Sequence, residues 1–212
     1  MYSNEHFKIS CNEKDKNLFS IEFVVPSPVL CLSIVKSKII RGATITDGYR
    51  TVVFKAFSVE TFKESFTGTY QQKAALASSL TTQLKYMIEE CSHSFLGYNR
   101  ENLVVVDGNK FLFLDVSLVC EISEDDDTVT VTAPFERTDF FFSPEMEKVS
   151  VLPSSIHFKT AYFSLGLLLL SSKEKEEEGN PLEISPYRGT KLWWLIKRCL
   201  VEEPEKRSIP FI

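Results

Sequence analysis

The hydrophobic pattern of this 212-residue chain changes its period near Phe57, and this change limits the folds that the chain can adopt. Before it, apolar and polar residues alternate, as over 19–23, which is typical of a half-buried strand. Asp47-Gly48 lies between two such runs and predicts a hairpin. After Phe57, one apolar stripe predicts a long helix over 71–91. The stripe consists of Leu76, Leu80, Leu84, Met87 and Cys91.

The order of these patterns predicts an α+β fold in two parts. Residues 1–57 are expected to form a small antiparallel β region without a helix, and residues 58–212 a mainly helical region, together one compact unit. In the first part we predict strands over 19–25, 29–35, 39–45 and 51–57. In the second part we predict a short helix over 59–66, a hairpin around Asp107-Gly108, an exposed loop over 121–138, a buried helix over 161–170 and an amphipathic helix over 192–200.

Composition and charge exclude several classes of protein. The chain is 43% hydrophobic and 25% charged, which is typical of a globular protein with a core. The net charge is −5, whereas nucleic-acid binders usually carry a basic surface, so we expect no nucleic-acid partner. The longest apolar stretch, 161–170, is too short to span a membrane. Five cysteines without a C-x-x-C pair, and no secretory signal at the start of the sequence, favour a reducing, cytoplasmic-type environment.

Five short motifs resemble those of protein kinases and follow in kinase order. The segment 98–105 resembles the catalytic loop, 115–117 (D-V-S) lies where kinases carry D-F-G, and 142–145 (F-S-P-E) resembles A-P-E. On the predicted buried helix, 163–166 (F-S-L-G) resembles W-S-L-G, and 199–207 resembles the late C-L…P-x-x-R segment. The resemblance covers about 51–207. It implies a minimal protein-kinase-like fold with a reduced antiparallel β N-lobe and a mainly α-helical C-lobe.

The same resemblance implies a catalytic loop without its base. In H-R-D-x-x-x-x-N the Asp accepts the substrate proton and the Asn binds metal. Alignment on Asn102 puts Gly97 at the Asp position and Asn99 at the Lys that follows it by two. Gly97 has no side chain that could accept a proton. We expect nearby His93 to be a surface or capping residue rather than a substitute base.

The metal positions of the resemblance fall on Asn102 and Asp115, and each leaves two roles open. They are either residual metal or nucleotide ligands, or structural groups. In the structural reading, which we expect, Asp115 caps the turn after its strand and Asn102 braces the loop. Ala161 stands where a kinase has the Asp that braces the catalytic loop, so we expect that bracing to be lost.

The parts that would hold ATP are also missing from the sequence. The first fifty residues contain only Gly42 and Gly48 and no G-x-G-x-x-G lid. Lys36 is the better match to the V-A-I-K lysine, and Lys55 belongs to the last N-lobe strand. We predict no helix after Lys36 that could carry the partner glutamate. The resemblance therefore implies that no nucleotide or metal cofactor is bound.

Two other groups of residues are expected to have structural or binding roles. Glu145 and Arg207 match the kinase residues that pair to hold the activation segment on the C-lobe, so we predict an ion pair. Candidate partner-binding residues lie near the loop 179–190 and the last helix. They are Tyr187, Arg188 and Trp193, residue types that dominate interface hot spots.

The resemblance implies a catalytically inactive, truncated pseudokinase that acts as a protein-binding regulator, decoy or scaffold. Its partner would be a kinase, a kinase substrate or a larger assembly. Segments 115–117 and 163–167 most resemble rhoptry-kinase-like pseudokinases of apicomplexan parasites, which implies a pathogen effector. Two alternatives stay open: an atypical nucleotide-binding Ser/Thr kinase that uses Asp115 and Asn102, and a structural subunit of a larger complex. The sequence sets neither the partner nor the oligomeric state.

Overall fold

The computed structural model describes residues 2–135, 140–171 and 185–209. Within these ranges the chain has six α-helices and four sheets whose strands all pair antiparallel, so the predicted α+β class is confirmed. Across the same ranges, every helix is too short or too polar to cross a bilayer.

The first sheet has five strands in the order β1-β2-β3-β5-β4. Its register places Phe7 opposite Phe23 and Ile9 opposite Ile21, and Ile21 also lies opposite Val52. All five side chains are buried on one face, so the alternating pattern read from the sequence is the cause of this sheet. The strands are β1 Tyr2–Ser3, β2 Phe7–Cys11, β3 Leu18–Phe23, β4 Thr44–Thr46 and β5 Thr51–Lys55.

Helix α1, Pro28–Lys36, replaces the strand predicted over 29–35, so the prediction of a helix-free first part was wrong. The Ser27 hydroxyl accepts a hydrogen bond from the Leu30 amide, and Pro28 fills the first helical position. Ser followed by Pro is a helix-start signal that outweighs the β-branched residues of the segment. The strand predicted over 39–45 is reduced to β4.

The segment after Phe57 begins as a strand instead of the predicted helix over 59–66. Strand β6, Val59–Thr61, precedes the single turn of α2, Phe62–Ser65. The long helix α3, Tyr70–Cys91, confirms the helix predicted over 71–91 from the apolar stripe. Its N-cap is Thr69.

Four short strands follow α3, and two of them form the predicted hairpin. Asp107 and Gly108 at its turn both have positive φ, 52° and 70°, which is typical of Asp-Gly turns. The hairpin strands β9 and β10 belong to a three-stranded sheet, in which β6 pairs with β9. The four strands are β7 His93–Phe95, β8 Tyr98–Asn99, β9 Leu103–Val106 and β10 Lys110–Phe113.

The prediction of an exposed loop over 121–138 was wrong for most of that range. The chain forms a hairpin of β11 Val119–Ser123 and β12 Thr128–Val131, in which Val129 and Val131 are buried. The acidic run 124–127 is only the turn between these strands. Residues 136–139 lie outside the described ranges. The remaining strands are β13 Phe140–Phe141 and β14 Ser154–His157.

Three more helices complete the chain: α4 Pro144–Glu147, α5 Thr160–Leu170 and α6 Lys191–Cys199. The buried α5 and the amphipathic α6 confirm the predicted helices over 161–170 and 192–200. They pack closely because Gly166 has no side chain: a β-carbon there would lie 2.8 Å from Leu200 Cδ2.

Candidate functional site

The carboxylate of Asp115 lies just after β10 and is completely buried. Its Oδ2 accepts hydrogen bonds from the amide groups of Asn102 at 2.7 Å and Asn99 at 3.2 Å. Its Oδ1 accepts from the backbone amide of Ser117 at 3.0 Å and from the Ser117 hydroxyl at 2.6 Å. Asp115 is thus the N-cap of the 3-10 turn 116–118, the capping role expected from the sequence.

Asn99 and Asn102 brace the loop that runs from β8 to β9. Asn99 Oδ1 accepts from the Asn102 backbone amide at 2.8 Å, and the Asn102 carbonyl accepts from the Leu114 amide at 3.0 Å. Both side chains are buried and point their amide groups at Asp115. The three predicted positions are therefore brought together as one hydrogen-bonded network.

The turn between β1 and β2 closes over this network, which the sequence did not predict. Asn4 Nδ2 donates to Asn102 Oδ1 at 2.6 Å, and Asn4 Oδ1 accepts from the backbone amides of His6 and Phe7. His6 Nε2 lies 3.7 Å from Asp115 Oδ1. An Asn whose side chain holds its own turn is a recognisable sequence signal, but its target 98 positions away is not.

A divalent metal, the alternative left open for Asn102 and Asp115, does not fit this donor set. Both oxygens of Asp115 already accept protein hydrogen bonds, and Asn102 Oδ1 accepts from Asn4. Mg²⁺ is bound by oxygen atoms, whereas these amides direct N–H groups at the carboxylate. In the described ranges, no three His, Cys, Asp or Glu side chains cluster as metal ligands do.

Gly97, which the kinase resemblance aligns with the catalytic Asp, is enclosed by the segment around Phe142. A β-carbon at residue 97 would lie 2.5 Å from Phe142 Cδ1 and 3.0 Å from the Phe141 carbonyl oxygen. Phe142 is held there because β13 pairs with β8 and because its ring stacks on Phe140 at 5.1 Å. The space that a side chain at residue 97 would need is filled by an aromatic ring.

The loop around Gly97 remains braced, although Ala161 lacks the bracing carboxylate. The Thr160 hydroxyl contacts the Leu96 carbonyl at 3.5 Å and the Ser143 hydroxyl at 2.6 Å. The carboxylate that would brace this loop in a kinase is absent at Ala161, as the sequence shows, and Thr160 makes the contact with the loop.

Gln83 of α3 is a further positioning residue that sequence reasoning missed. Its fully buried amide donates to the Phe113 carbonyl at 2.9 Å and accepts from the Phe113 amide at 3.0 Å. It also donates to the Ser33 hydroxyl of α1 at 3.3 Å. Gln83 thus fixes the end of β10, two residues before Asp115. A polar residue within an apolar helical stripe is the signal that could have found it.

The two lysines compared with the V-A-I-K lysine, Lys36 and Lys55, lie on different elements. Lys36 is the last residue of α1, so its match to the V-A-I-K strand was wrong. Lys55 ends β5, where its ammonium lies 3.7 Å from an Asp15 carboxylate oxygen. The strand that precedes α1, β3, contains no lysine, and α1 contains no acidic residue.

Two cavities lined by described residues lie between the first sheet and the segment after Phe57. One has about 150 Å³, with Ile9, Phe19 and Val59 among its lining residues. The other has about 520 Å³ and is lined in part by the cations of Arg41, Lys55 and Lys110. Sites for drug-sized ligands usually enclose about 300–1,000 Å³. Cavities of about 500 and 650 Å³ lie elsewhere, along α3 and beside β11 and β12.

The predicted ion pair between Glu145 and Arg207 is present and bidentate. Arg207 Nη1 and Nη2 each donate to one Glu145 carboxylate oxygen, the second bond measuring 2.9 Å. The Arg207 side chain is fully buried and also donates to the carbonyls of Val201 and Glu202. Burial alone would raise the pKa of Glu145, but the bonds from Arg207 hold it below its ordinary value.

The candidate partner-binding residues are only partly exposed. Tyr187 is half-buried, with its ring 5.1 Å from the ammonium of the buried Lys73, and Trp193 is half-buried under Lys197. Both rings pack against neighbouring cations and keep part of their surface exposed. Arg188 is exposed. The 179–184 part of the proposed loop lies outside the described residues.

Three of the five cysteines are buried thiols that are poorly suited to act as nucleophiles. All five are free, and burial raises the pKa of Cys31 and Cys120 to about 11 and of Cys199 to about 12. A thiol with so high a pKa stays protonated near neutral pH, and the thiolate is the reactive form.

Neither the protein-family models nor the curated proteins compared with this chain match it.

Proposed function

We propose that this chain is a truncated, non-catalytic, kinase-like protein, a pseudokinase, that acts by binding another protein as a regulator, decoy or scaffold. The observation that carries the proposal is the saturated carboxylate of Asp115. At the position where a kinase binds metal, four hydrogen bonds from Asn99, Asn102 and Ser117 take up both oxygens. A group bound in this way stabilises the loop and has little left to offer a metal ion.

The surroundings of Asp115 support the same proposal. Phosphoryl transfer depends on positioning and electrostatic stabilisation by a base, a metal and a lysine held by a glutamate. Here residue 97 is Gly with Phe142 against it, and neither β3 nor α1 supplies a Lys–Glu pair. Asn4 is hydrogen-bonded to Asn102, and His6 Nε2 lies 3.7 Å from Asp115 Oδ1, so the turn between β1 and β2 covers this carboxylate.

The order of elements supports a kinase-like arrangement for this proposal. A five-stranded antiparallel sheet carries one helix, α1, between its third and fourth strands. It is followed by the long α3, the β9–β10 hairpin that ends at Asp115, and the buried α5. The Glu145–Arg207 pair ties α4 to the segment after α6, as the resemblance implies. A protein that keeps a kinase-like fold but cannot transfer phosphate would act by binding, through its surface, a kinase or a kinase substrate.

A thermal-shift titration with ATP and Mg²⁺ or Mn²⁺ tests the proposal, with an active protein kinase as the positive control. A ligand at about a hundred times its Kd would stabilise the protein by roughly 2.7 kcal/mol. We expect no saturable shift and no phosphotransfer to a general substrate such as casein. A saturable shift, or phosphotransfer that disappears in Asp115→Ala, would instead support the atypical kinase that uses Asp115 and Asn102. Native mass spectrometry of the protein from its source cell tests the structural-subunit alternative: a fixed stoichiometric assembly would favour it.

A further inference from the structure

The outward side of α6 carries one aromatic residue surrounded by cations. At 100° per residue, Lys191, Trp194, Lys197 and Arg198 lie within an arc of about 120°. All four are exposed, and the Trp194 ring retains 51% of its accessible surface. The opposite side of the helix is buried in the core through Leu192, Leu195, Ile196 and Cys199. We call the exposed set the α6 basic face.

Helix stability explains only part of this pattern. Cations in the last turn, such as Lys197 and Arg198, interact favourably with the helix dipole, but Lys191 in the first turn does not. Thr190 already caps this helix through the Trp193 amide, so Lys191 is not needed to start it. Trp193, not Trp194, is the ring that Lys197 covers, at 5.0 Å. Trp194 contacts the Trp193 ring edge-on, with centroids 4.5 Å apart, but about half of its surface stays exposed. Lys191 has no evident role in the fold.

The charges of the α6 basic face are not neutralised by the described part of the chain. Helix α6 contains no acidic residue, and Lys191 and Arg198 form no ion pair with any side chain in the described ranges. The whole chain has a net charge of −5, so this face, with three cations, has a charge of opposite sign to that of the chain. Trp and Arg are enriched among the residues that dominate protein interfaces.

We infer that the α6 basic face docks a short acidic segment of a protein partner, with an apolar or aromatic side chain of that segment against Trp194. Lys191 and Arg198 are seven residues apart, a rise of about 10 Å. An extended peptide covers this distance in about three residues. The fitting sequence therefore has carboxylates on both sides of one apolar residue. This inference rests on the proposed protein-binding function and gives the chemistry of the partner.

Charge and size favour an acidic peptide over other anionic partners. Nucleic-acid binders commonly contact about six to ten phosphates, and three cations on two helical turns offer fewer. An acidic protein also repels a long polyanion beyond the local face. A membrane surface would need a broad apolar face, and the apolar side of α6 is buried in the core.

The test is fluorescence anisotropy with a labelled peptide that has two glutamates on each side of one phenylalanine, and a control peptide with glutamines instead. We expect the acidic peptide to bind, more weakly as ionic strength rises, and the glutamine peptide not to bind. Lys191→Glu with Arg198→Glu should weaken binding by more than about tenfold, and Trp194→Ala by a similar factor. The matched control, Lys14→Glu with Lys16→Glu, makes the same change in net charge at exposed sites in the turn between β2 and β3.

Four results would overturn the inference. The first is an acidic peptide that does not bind, and the second is equal loss of affinity in the control variant. The third is tighter binding of single-stranded oligo-dT or phosphatidylserine vesicles than of the acidic peptide. The fourth is self-association, seen by light scattering, that Lys191→Glu and Arg198→Glu abolish, because a second copy would then be the occupant. Melting temperatures should match wild type for all variants, since the residues are exposed. A negative peptide result would leave the nucleotide titration, and with it the proposed loss of catalysis, unaffected.

Discussion

The ring of Phe142 lies where a side chain on Gly97 would have to begin, with Cδ1 and Cε1 only 2.5 and 2.6 Å from a β-carbon built there. We therefore expect Gly97→Ala to destabilise the protein by about 1–3 kcal/mol, as overpacking of a core does. Gly97→Asp should cost more, because it also buries a carboxylate beside an aromatic ring. Urea unfolding measures both. Gly97→Asp should produce no phosphotransfer.

A double-mutant cycle with Phe142→Leu provides the control for this prediction. If the clash with the ring is the cause, Gly97→Ala should cost clearly less in the Phe142→Leu background than in wild type. Equal costs in both backgrounds would show that Phe142 does not restrict residue 97.

The ion pair between Glu145 and Arg207 is expected to be a major contributor to stability. Arg207→Ala and Glu145→Ala should each cost roughly 3–5 kcal/mol, because each leaves a charged partner without its counterion. Arg207→Lys should rescue only part, since an ammonium cannot donate two parallel bonds. The double Ala variant should lose much less than the sum of the two single losses. Urea unfolding of the four variants gives these values.

The neighbouring pair of Lys206 and Glu203 is the matched control. Its two side chains are 67% and 63% exposed, so Lys206→Ala and Glu203→Ala should stay within about 0.5 kcal/mol of wild type. Comparable losses at both pairs, or strictly additive losses at Glu145 and Arg207, would contradict the argument.

The lowered pKa of Glu145 predicts a specific loss of stability in acid. Burial opposes the charged form, but the bonds from Arg207 outweigh it and keep the pKa below the ordinary value of 4.5. A carboxylate whose pKa is lower in the folded than in the unfolded state stabilises the fold at pH values above its unfolded-state pKa. This stabilisation is lost as the pH falls through the folded-state pKa. The free energy of unfolding should therefore fall from about pH 6 to about pH 3 more steeply in wild type than in Glu145→Gln. Exposed Glu203→Gln should keep the wild-type slope, and identical slopes in all three proteins would refute the assignment.

Much of the fold could be predicted from local pattern alone. The Asp-Gly turns, the stripe of α3 and the apolar α5 are each determined by residues within one element. The prediction failed at α1, where Ser27 and Pro28 start a helix within a β-branched run, and at β12, where an acidic turn concealed a regular Val129 and Val131 alternation.

The candidate site was predictable in its positions but not in its contacts. Motif spacing brought Asn99, Asn102 and Asp115 together, and the structure places them in one network. The contacts of Asn4 with Asn102 and of Phe142 with Gly97 join segments 98 and 45 positions apart in the chain, counting 102 minus 4 and 142 minus 97. No local pattern encodes such distances, because they depend on how the sheets pack.

The last prediction concerns the contact between Asn4 and the Asp115 network. If the β1–β2 turn is held down by Asn102, then Asn4→Ala should free the turn while leaving the rest of the fold intact. Hydrogen exchange should accelerate at the amides of His6 and Phe7, which lose their Asn4 acceptor, and stay unchanged in α5. Asp115→Ala should act more broadly, because it leaves the donors of Asn99, Asn102 and Ser117 unpaired in a buried site. Its cost is expected to be about 1–3 kcal/mol by urea unfolding.

Asn12→Ala is the matched control, since Asn12 holds an exposed turn of the same sheet through the amides of Lys14 and Asp15. Its exchange effect should be confined to that turn. If Asn4→Ala leaves exchange at His6 and Phe7 unchanged, or if Asp115→Ala costs no stability, the turn does not depend on this network.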